Sequence, residues 1–232
     1  RWSTDDSTLI ALTGTDIYSD VHVIDGSSRA VVTVLPGKWR DAIISPAGTR
    51  IVAVPPAVPV ASLLTREGKL LAEMPQSALI WPMEFTPQGD KVLLGLRDGT
   101  ATVWSIPEGK NLASLTGHIT RVSSLYVSPD GARLFCLNNA GEVFVWDLAS
   151  YRQLATVSVD ASAMGFLPDP TGERILTVDS RNSTIDARLL KNIDDAAMSP
   201  QAIAKRVCRI PETLRKRAAL GSEDPLRNLC PQ

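Results

Sequence analysis

The sequence predicts an all-β protein built from one repeated, four-stranded unit, and three observations predict it. Four related turns recur, Ser45-Pro46-Ala47-Gly48, Thr86-Pro87-Gln88-Gly89, Ser128-Pro129-Asp130-Gly131 and Asp169-Pro170-Thr171-Gly172, at a near-constant step from proline to proline. Trp104 and Trp146 repeat at the same step, each at the seventeenth position after its turn proline. The runs between turns are short and apolar or alternate polar with apolar, as strands do, and nothing ahead of Gln201 has a helical period. Internal period outranks any single motif, because a unit that cannot bury its own face must stack on a neighbour.

Each turn is a β-turn by residue type. Proline presets φ at the first corner and glycine accepts the positive φ that follows. One period back from Pro46 lies Asp5, in Thr4-Asp5-Asp6-Ser7, a degenerate copy without Pro or Gly. A β-like run follows each turn, at 9–12, 50–54, 91–94, 133–137 and 174–178. A second tight turn comes next at Asp98-Gly99 and Ala140-Gly141, then alternating strands at 100–104 and 142–146, and a further strand near 112–115 and 153–157. Four short antiparallel strands per ~41 residues make the blade of a β-propeller. The units fall near 1–37, 38–76, 77–118, 119–160 and 161–198.

The fourth unit resembles a WD repeat, with Gly117-His118 ahead of its turn and Val145-Trp146-Asp147 closing its third strand. The third unit matches through Asp98-Gly99 and Trp104, with Ser105 in place of the final Asp. The first keeps Val23-Ile24-Asp25; the second and fifth keep only turn and spacing, with Leu63 and Ala187 where the Trp would stand. The resemblance spans residues 1–195. It implies structural roles for His118, Trp104, Trp146 and Asp98, which in this family join a His–Ser/Thr–Trp–Asp hydrogen-bond network. No unit holds the full set, since Ala140 occupies the Asp position of the fourth and no Gly-His precedes the third. Stability is therefore expected to rest on apolar packing between blades.

Five units are fewer than the seven common in the family, and Arg1–Thr4 is too short for a full first strand. The expectation is that at least one blade lies upstream or in another polypeptide, with a five-bladed ring as the alternative. A start at Arg1 without Met suggests an excised piece of a longer protein.

The segment from Ser199 to Gln232 differs in character. Seven Lys/Arg there face three Asp/Glu, a charge of +4, so residues 1–198 carry −5 of the chain's −1. Residues 201–209 and 211–220 read as two short helices, with Pro211 at a start and Gly221 as a stop. They are expected to dock on the propeller through Ile203, Val207 and Leu214. Cys208 and Cys230 can close a disulfide, worth ~3 kcal/mol by loop entropy in an oxidising compartment. The segment resembles the C-terminal tail of modular bacterial propeller proteins, whose upstream domains are caspase-like, Toll/interleukin-receptor-like or nucleotide-binding. That resemblance implies a regulatory or recruiting role for an effector domain absent from this chain, in the cytoplasm unless the disulfide forms.

Composition excludes several classes. With 232 residues, 44% hydrophobic and 21% charged, the chain is neither disordered nor collagen-like, and no apolar run spans a bilayer. A net charge of −1 offers no basic field for nucleic acid. Cys136 reads as a buried thiol, and two His without a Cys-x-x-Cys pair offer no zinc site. No glycine-rich phosphate loop and no nucleophile elbow occur. His22 sits mid-strand, and the pairs Asp5-Asp6, Asp194-Asp195 and Glu223-Asp224 fall in turns or tail. No cofactor or metal is expected, and the chain reads as non-enzymatic; the alternative, a central-channel hydrolytic or metal-assisted site, has only Asp16 and Asp98 to offer. Candidates for contact with a protein or peptide partner are Trp39, Arg40, Trp81 and Arg121, bulky residues where successive units begin. Trp and Arg are the types enriched in interface hot spots, and the same types also pack well on a neighbouring blade.

Overall fold

A computed structural model describes residues 1–14, 19–106 and 108–159, and the strands at 163–168, 174–179 and 184–189. Three complete four-stranded antiparallel sheets follow one another, each a simple meander. The second sheet holds β4 (Asp41–Ile44), β5 (Arg50–Val54), β6 (Val60–Thr65) and β7 (Leu70–Pro75). The third holds β8 (Ile80–Phe85), β9 (Lys91–Leu96), β10 (Ala101–Ser105) and β11 (Asn111–Leu115). The fourth holds β12 (Val122–Val127), β13 (Arg133–Asn138), β14 (Glu142–Asp147) and β15 (Gln153–Ser158).

The first sheet has three strands, β1 (Thr8–Thr13), β2 (Ser19–Asp25) and β3 (Val31–Trp39), as does the last, β16 (Ala163–Pro168), β17 (Arg174–Asp179) and β18 (Thr184–Leu189). The β3 strand extends to Trp39, past the division read from the sequence at residue 37. Arg1–Ser3, too short on paper for a strand, nonetheless lies along β1. Arg1 and Ile10 exchange both backbone hydrogen bonds (2.6 and 2.8 Å), Trp2 bridges Leu9, and Ser3 N–H donates to Thr8 at 2.9 Å. The first strands of the complete sheets face one another, β8 against β4 and β12, and β12 also lies against β16. This places them innermost, as in a propeller. The tail helices, the Cys208–Cys230 pairing, the turn at Pro170 and Asp16 lie outside the described residues.

The repeated turns owe their shape to a buried hydroxyl as much as to Pro and Gly. Ser45, Thr86 and Ser128 are buried, and their side-chain oxygens accept the N–H of Arg50, Lys91 and Arg133 at 3.0, 3.1 and 2.9 Å. Gly48, Gly89 and Gly131 close each turn with φ between +64 and +75°. The degenerate first copy keeps this chemistry: Ser3 Oγ accepts the N–H of Thr8 at 3.0 Å, and Asp6 stands in the glycine place at φ +57°. The matching residue of Pro46 is thus Thr4 rather than Asp5, a one-place correction that the hydroxyl fixes.

The core lies between sheets. Leu134 and Cys136 point into one cluster with Leu93, Val103 and Leu115 of the third sheet, while Phe135 and Leu137 join Val143 and Val145 on the opposite face. That is the alternation of a strand buried on both sides. Trp104 packs with Val54, Leu63 and Met74 of the second sheet, and Trp146 with Leu93, Ala101 and Val103 of the third, each 6% exposed. Burial raises the Cys136 thiol far above its ordinary value, so it carries no thiolate reactivity. Among the described residues, no helix is long and apolar enough to cross a membrane.

Bulges recur at fixed places. In the inner strands the register slips between Ile80 and Met83, between Val122 and Ser124, and between Ala163 and Gly165. In the outer strands it slips at Val32, Leu71, Leu112 and Leu154, and all four side chains are exposed.

Candidate functional site at the mouth of the inner-strand cleft

Arg40, Trp81 and Arg121 follow one another at intervals of one repeat. Arg40 precedes β4, Trp81 is the second residue of β8, and Arg121 precedes β12. All three therefore come to the same end of adjacent inner strands, the end away from the Pro-Gly turns. The bulge aims the Trp81 side chain. Ile80 pairs with Leu96 and Met83 with Leu94, so Trp81-Pro82 together oppose Gly95. A bulge re-aims a side chain and accommodates a proline that has no N–H for the ladder. Gly95 permits this, since a Cβ there would lie 2.5 Å from Pro82 Cγ and 2.8 Å from Val122 Cγ1.

The two guanidinium groups converge on the indole. The Arg40 Cζ lies 5.1 Å and the Arg121 Cζ 5.6 Å from the centroid of the Trp81 ring, within cation–π range. Arg40 also donates from Nη2 to the Ile80 carbonyl, tying the second sheet to the third. Its half-buried position pulls its pKa down through desolvation, partly opposed by Asp41. Arg121 keeps a buried Nε–H without an acceptor. Trp81 itself remains 46% exposed. Trp39 does not join this group. It ends β3 and packs, half-buried, on the cluster of Ile10, Val21 and Leu35. Of the four residues singled out in the sequence, the structure brings three together.

Behind the mouth lies a cleft of about 910 Å³ lined by the inner strands, including Ile43, Met83, Phe85 and Leu125, with Asp41 and Glu84 as its carboxylates. The walls mix apolar residues with polar ones such as Arg1, Ser123 and Ser124. Among the described residues, no cluster of three or more His, Cys, Asp or Glu could hold a metal ion. Asp98 is on the exposed β9–β10 turn, bonded to Ser77 Oγ (2.6 Å) and Thr100 N–H (2.9 Å). Nothing among the described residues of this cleft assembles an acid, a base and a nucleophile.

No family profile matches the chain. Three relatives do in part. Over 105 residues (43% of this chain) it is 35% identical to rat transducin beta-like protein 3, and over 87 residues (36%) it is 32% identical to WD repeat and SOCS box-containing protein 1 of Xenopus tropicalis. Over 93 residues (40%) it is 29% identical to the WD repeat-containing protein 91 homolog of Dictyostelium discoideum. Two of these relatives are named for WD repeats, and the repeated four-stranded sheets described above are consistent with a propeller of that kind. The matched stretches span 12–21% of the length of these relatives.

The residues for which the sequence implies a hydrogen-bond network are linked differently in the third and fourth repeats. In the third repeat the Trp104 indole N–H donates to Thr102 Oγ1 (3.1 Å), which donates to Gln76 Oε1 (2.8 Å), whose amide donates to the Met74 carbonyl (2.9 Å). Gln76 and Ser77 stand where the fourth repeat has Gly117 and His118, so a substitute relay exists where the sequence suggested a broken one. The fourth repeat shows the reverse. Phe144 replaces Thr102's counterpart, and the Trp146 indole N–H is left buried without an acceptor. His118 stacks on Phe144 instead, with ring centroids 4.1 Å apart. The Asp of the Trp-Asp dipeptide caps the following turn: Asp147 accepts the Ser150 N–H (2.7 Å) and hydroxyl (2.6 Å), and Asp25 accepts the N–H groups of Ser27 and Ser28 at 3.1 and 2.8 Å. Asp25 also binds Arg66 of the second sheet at 2.6 Å.

Folding is expected to depend on pH through His118. Its Nδ1 lies 2.7 Å from the Gly99 carbonyl, which can only accept, so Nδ1 carries the proton and Nε2 is left without a partner. Charging the ring would bury an N–H with no acceptor, and burial lowers the His118 pKa below its ordinary 6.5. Below that value the unfolded chain takes up a proton that the folded chain refuses, so stability falls as pH falls. The expected result is a decline in melting temperature between about pH 6.5 and 5 that is shallower in His118→Gln. Parallel pH profiles for the two proteins would refute it.

Proposed function

We propose that this chain is a protein-interaction platform whose recognition surface is the Trp81 mouth, and that it recruits or regulates an effector domain carried outside it. The observation behind this is an indole, 46% exposed, that is held in place by two guanidinium groups from the neighbouring repeats. An exposed Trp already fixed by its surroundings loses little freedom when a partner covers it, and Trp and Arg dominate interface hot spots. The frog relative's name joins WD repeats to a SOCS box in one protein. By that likeness, the platform here serves a second element, upstream blades or an effector of the same parent protein. The role is non-catalytic.

The test is selection of displayed random peptides on the folded chain. Enriched peptides should bind the parent and lose at least about ten-fold in affinity for Trp81→Ala, the cost of an average hot spot. The variant's melting temperature should stay close to the parent's, because Trp81 belongs to no buried cluster. Peptides that bind both proteins equally would move the recognition surface elsewhere.

A further inference from the structure

The geometry points to the chemistry of the partner, given the interaction role proposed above: the mouth formed by Arg40, Trp81 and Arg121 takes an acidic peptide segment. One carboxylate bonds the guanidinium Nη–H groups, with an apolar neighbour against the exposed part of the indole and the cleft behind it. Among the described residues neither cation is in an ion pair, although Asp41 lies close enough to Arg40 to act on it electrostatically. The four ion pairs among the described residues are Arg1–Asp41, Lys38–Asp20, Arg66–Asp25 and Lys91–Asp90, and none uses Arg40 or Arg121. Asp41, next to Arg40 in sequence, is already engaged by Arg1 at 3.0 Å and by its own strand.

Hydrogen-bond donors are left over as well. Arg40 gives an N–H to the Ile80 carbonyl, and the Arg121 Nε–H is buried without an acceptor. The two guanidinium groups lie against the same indole, which offsets their mutual repulsion only in part. A carboxylate would offset the repulsion through charge-assisted hydrogen bonds to the guanidinium Nη–H groups. Pro82 and Tyr126, both half-buried, line the cleft and offer apolar area to the residue beside the anion. Glu84 and Asp41 also line this cleft. They oppose a doubly charged group, so a carboxylate suits the mouth better than a phosphate.

The experiment uses four pools of short peptides, identical in degenerate apolar positions and differing only at a central Glu, Gln, Lys or phosphoserine. Binding to the full chain is read by fluorescence anisotropy. The Glu pool should bind at least about ten-fold more tightly than the Gln pool, the contribution of one charge-assisted contact. That preference should shrink in Arg121→Gln, return in part in Arg121→Lys, and weaken as salt rises. Melting curves of each variant separate lost recognition from lost folding; if Arg121→Gln does not fold, the Glu-over-Gln preference of the parent and its salt dependence decide alone. Equal binding of Glu and Gln pools that still depends on Trp81 would overturn the acidic ligand and leave the interaction role standing. Preference for phosphoserine or Lys would overturn it in favour of that group. Binding of every pool unaffected by Trp81→Ala would remove both the ligand class and the proposed surface.

Discussion

Replacing Trp146 by alanine should lower the unfolding free energy by ~3–5 kcal/mol, the usual cost of emptying a buried aromatic site. The side chain fills the seam between two sheets, against Leu93, Ala101 and Val103 on one side and Leu134, Cys136 and Leu148 on the other. Neither sheet can collapse into the space without pulling away from its own neighbours, so a cavity remains. The loss is almost wholly one of packing, since the indole N–H has no acceptor to lose. Trp146→Phe should consequently be much milder, about 1.5 kcal/mol or less, because it keeps most of the volume and deletes an unsatisfied donor. Denaturant titration of the two variants checks both values; an unchanged midpoint in Trp146→Ala would contradict the placement.

Gly99→Ala should cost about 2–4 kcal/mol although it adds a single methyl group. The backbone at Gly99 has φ +90°, outside the range that residues with a Cβ adopt freely. A Cβ there would also lie 2.6 Å from the His118 carbonyl oxygen and 2.9 Å from that of Thr120. Both are main-chain atoms of the link between β11 and β12, so relief requires moving the link, and with it the His118 ring that rests on Phe144. The variant should therefore lose thermal stability and flatten the pH profile attributed to His118. A Gly99→Ala protein that melts with the parent would show that the link yields at no cost.

The turns and the repeat period are legible in the sequence because they rest on local demands: a proline at one corner, a positive φ at another. The degenerate first copy aligns one place off when Pro and Gly are the guides, whereas the chemistry shared by the four turns among the described residues is the hydroxyl of Ser3, Ser45, Thr86 and Ser128. Arg40, Trp81 and Arg121 are legible as residue types. Their convergence depends on the inner strands lying side by side, although the interval of one repeat between them is already present in the sequence. Trp39 reads as a surface candidate because its neighbour Arg40 suggests a shared role, while β3 in fact carries it onto the core of the first two sheets. The Trp104–Thr102–Gln76 relay is invisible in the sequence, since Gln76 replaces a glycine and gains its role only through the reach of its side chain.

The slipped register of the outer strands sets how such a chain can associate. A sheet whose last strand is regular offers a row of free N–H and C=O groups to any extended chain, and stacking of that kind leads to fibres. Here each rim is interrupted at Val32, Leu71, Leu112 or Leu154, where one residue has no partner across the ladder and the strand bends. Radial growth by strand addition is blocked at the same height in four successive sheets. Tangential growth is not: a further sheet adds by laying its flat face on the last one, as each already lies on the next. Duplication of a repeat is thus tolerated by the architecture while polymerisation from its circumference is not, and aliphatic side chains can stay exposed on the rim without joining one copy to another.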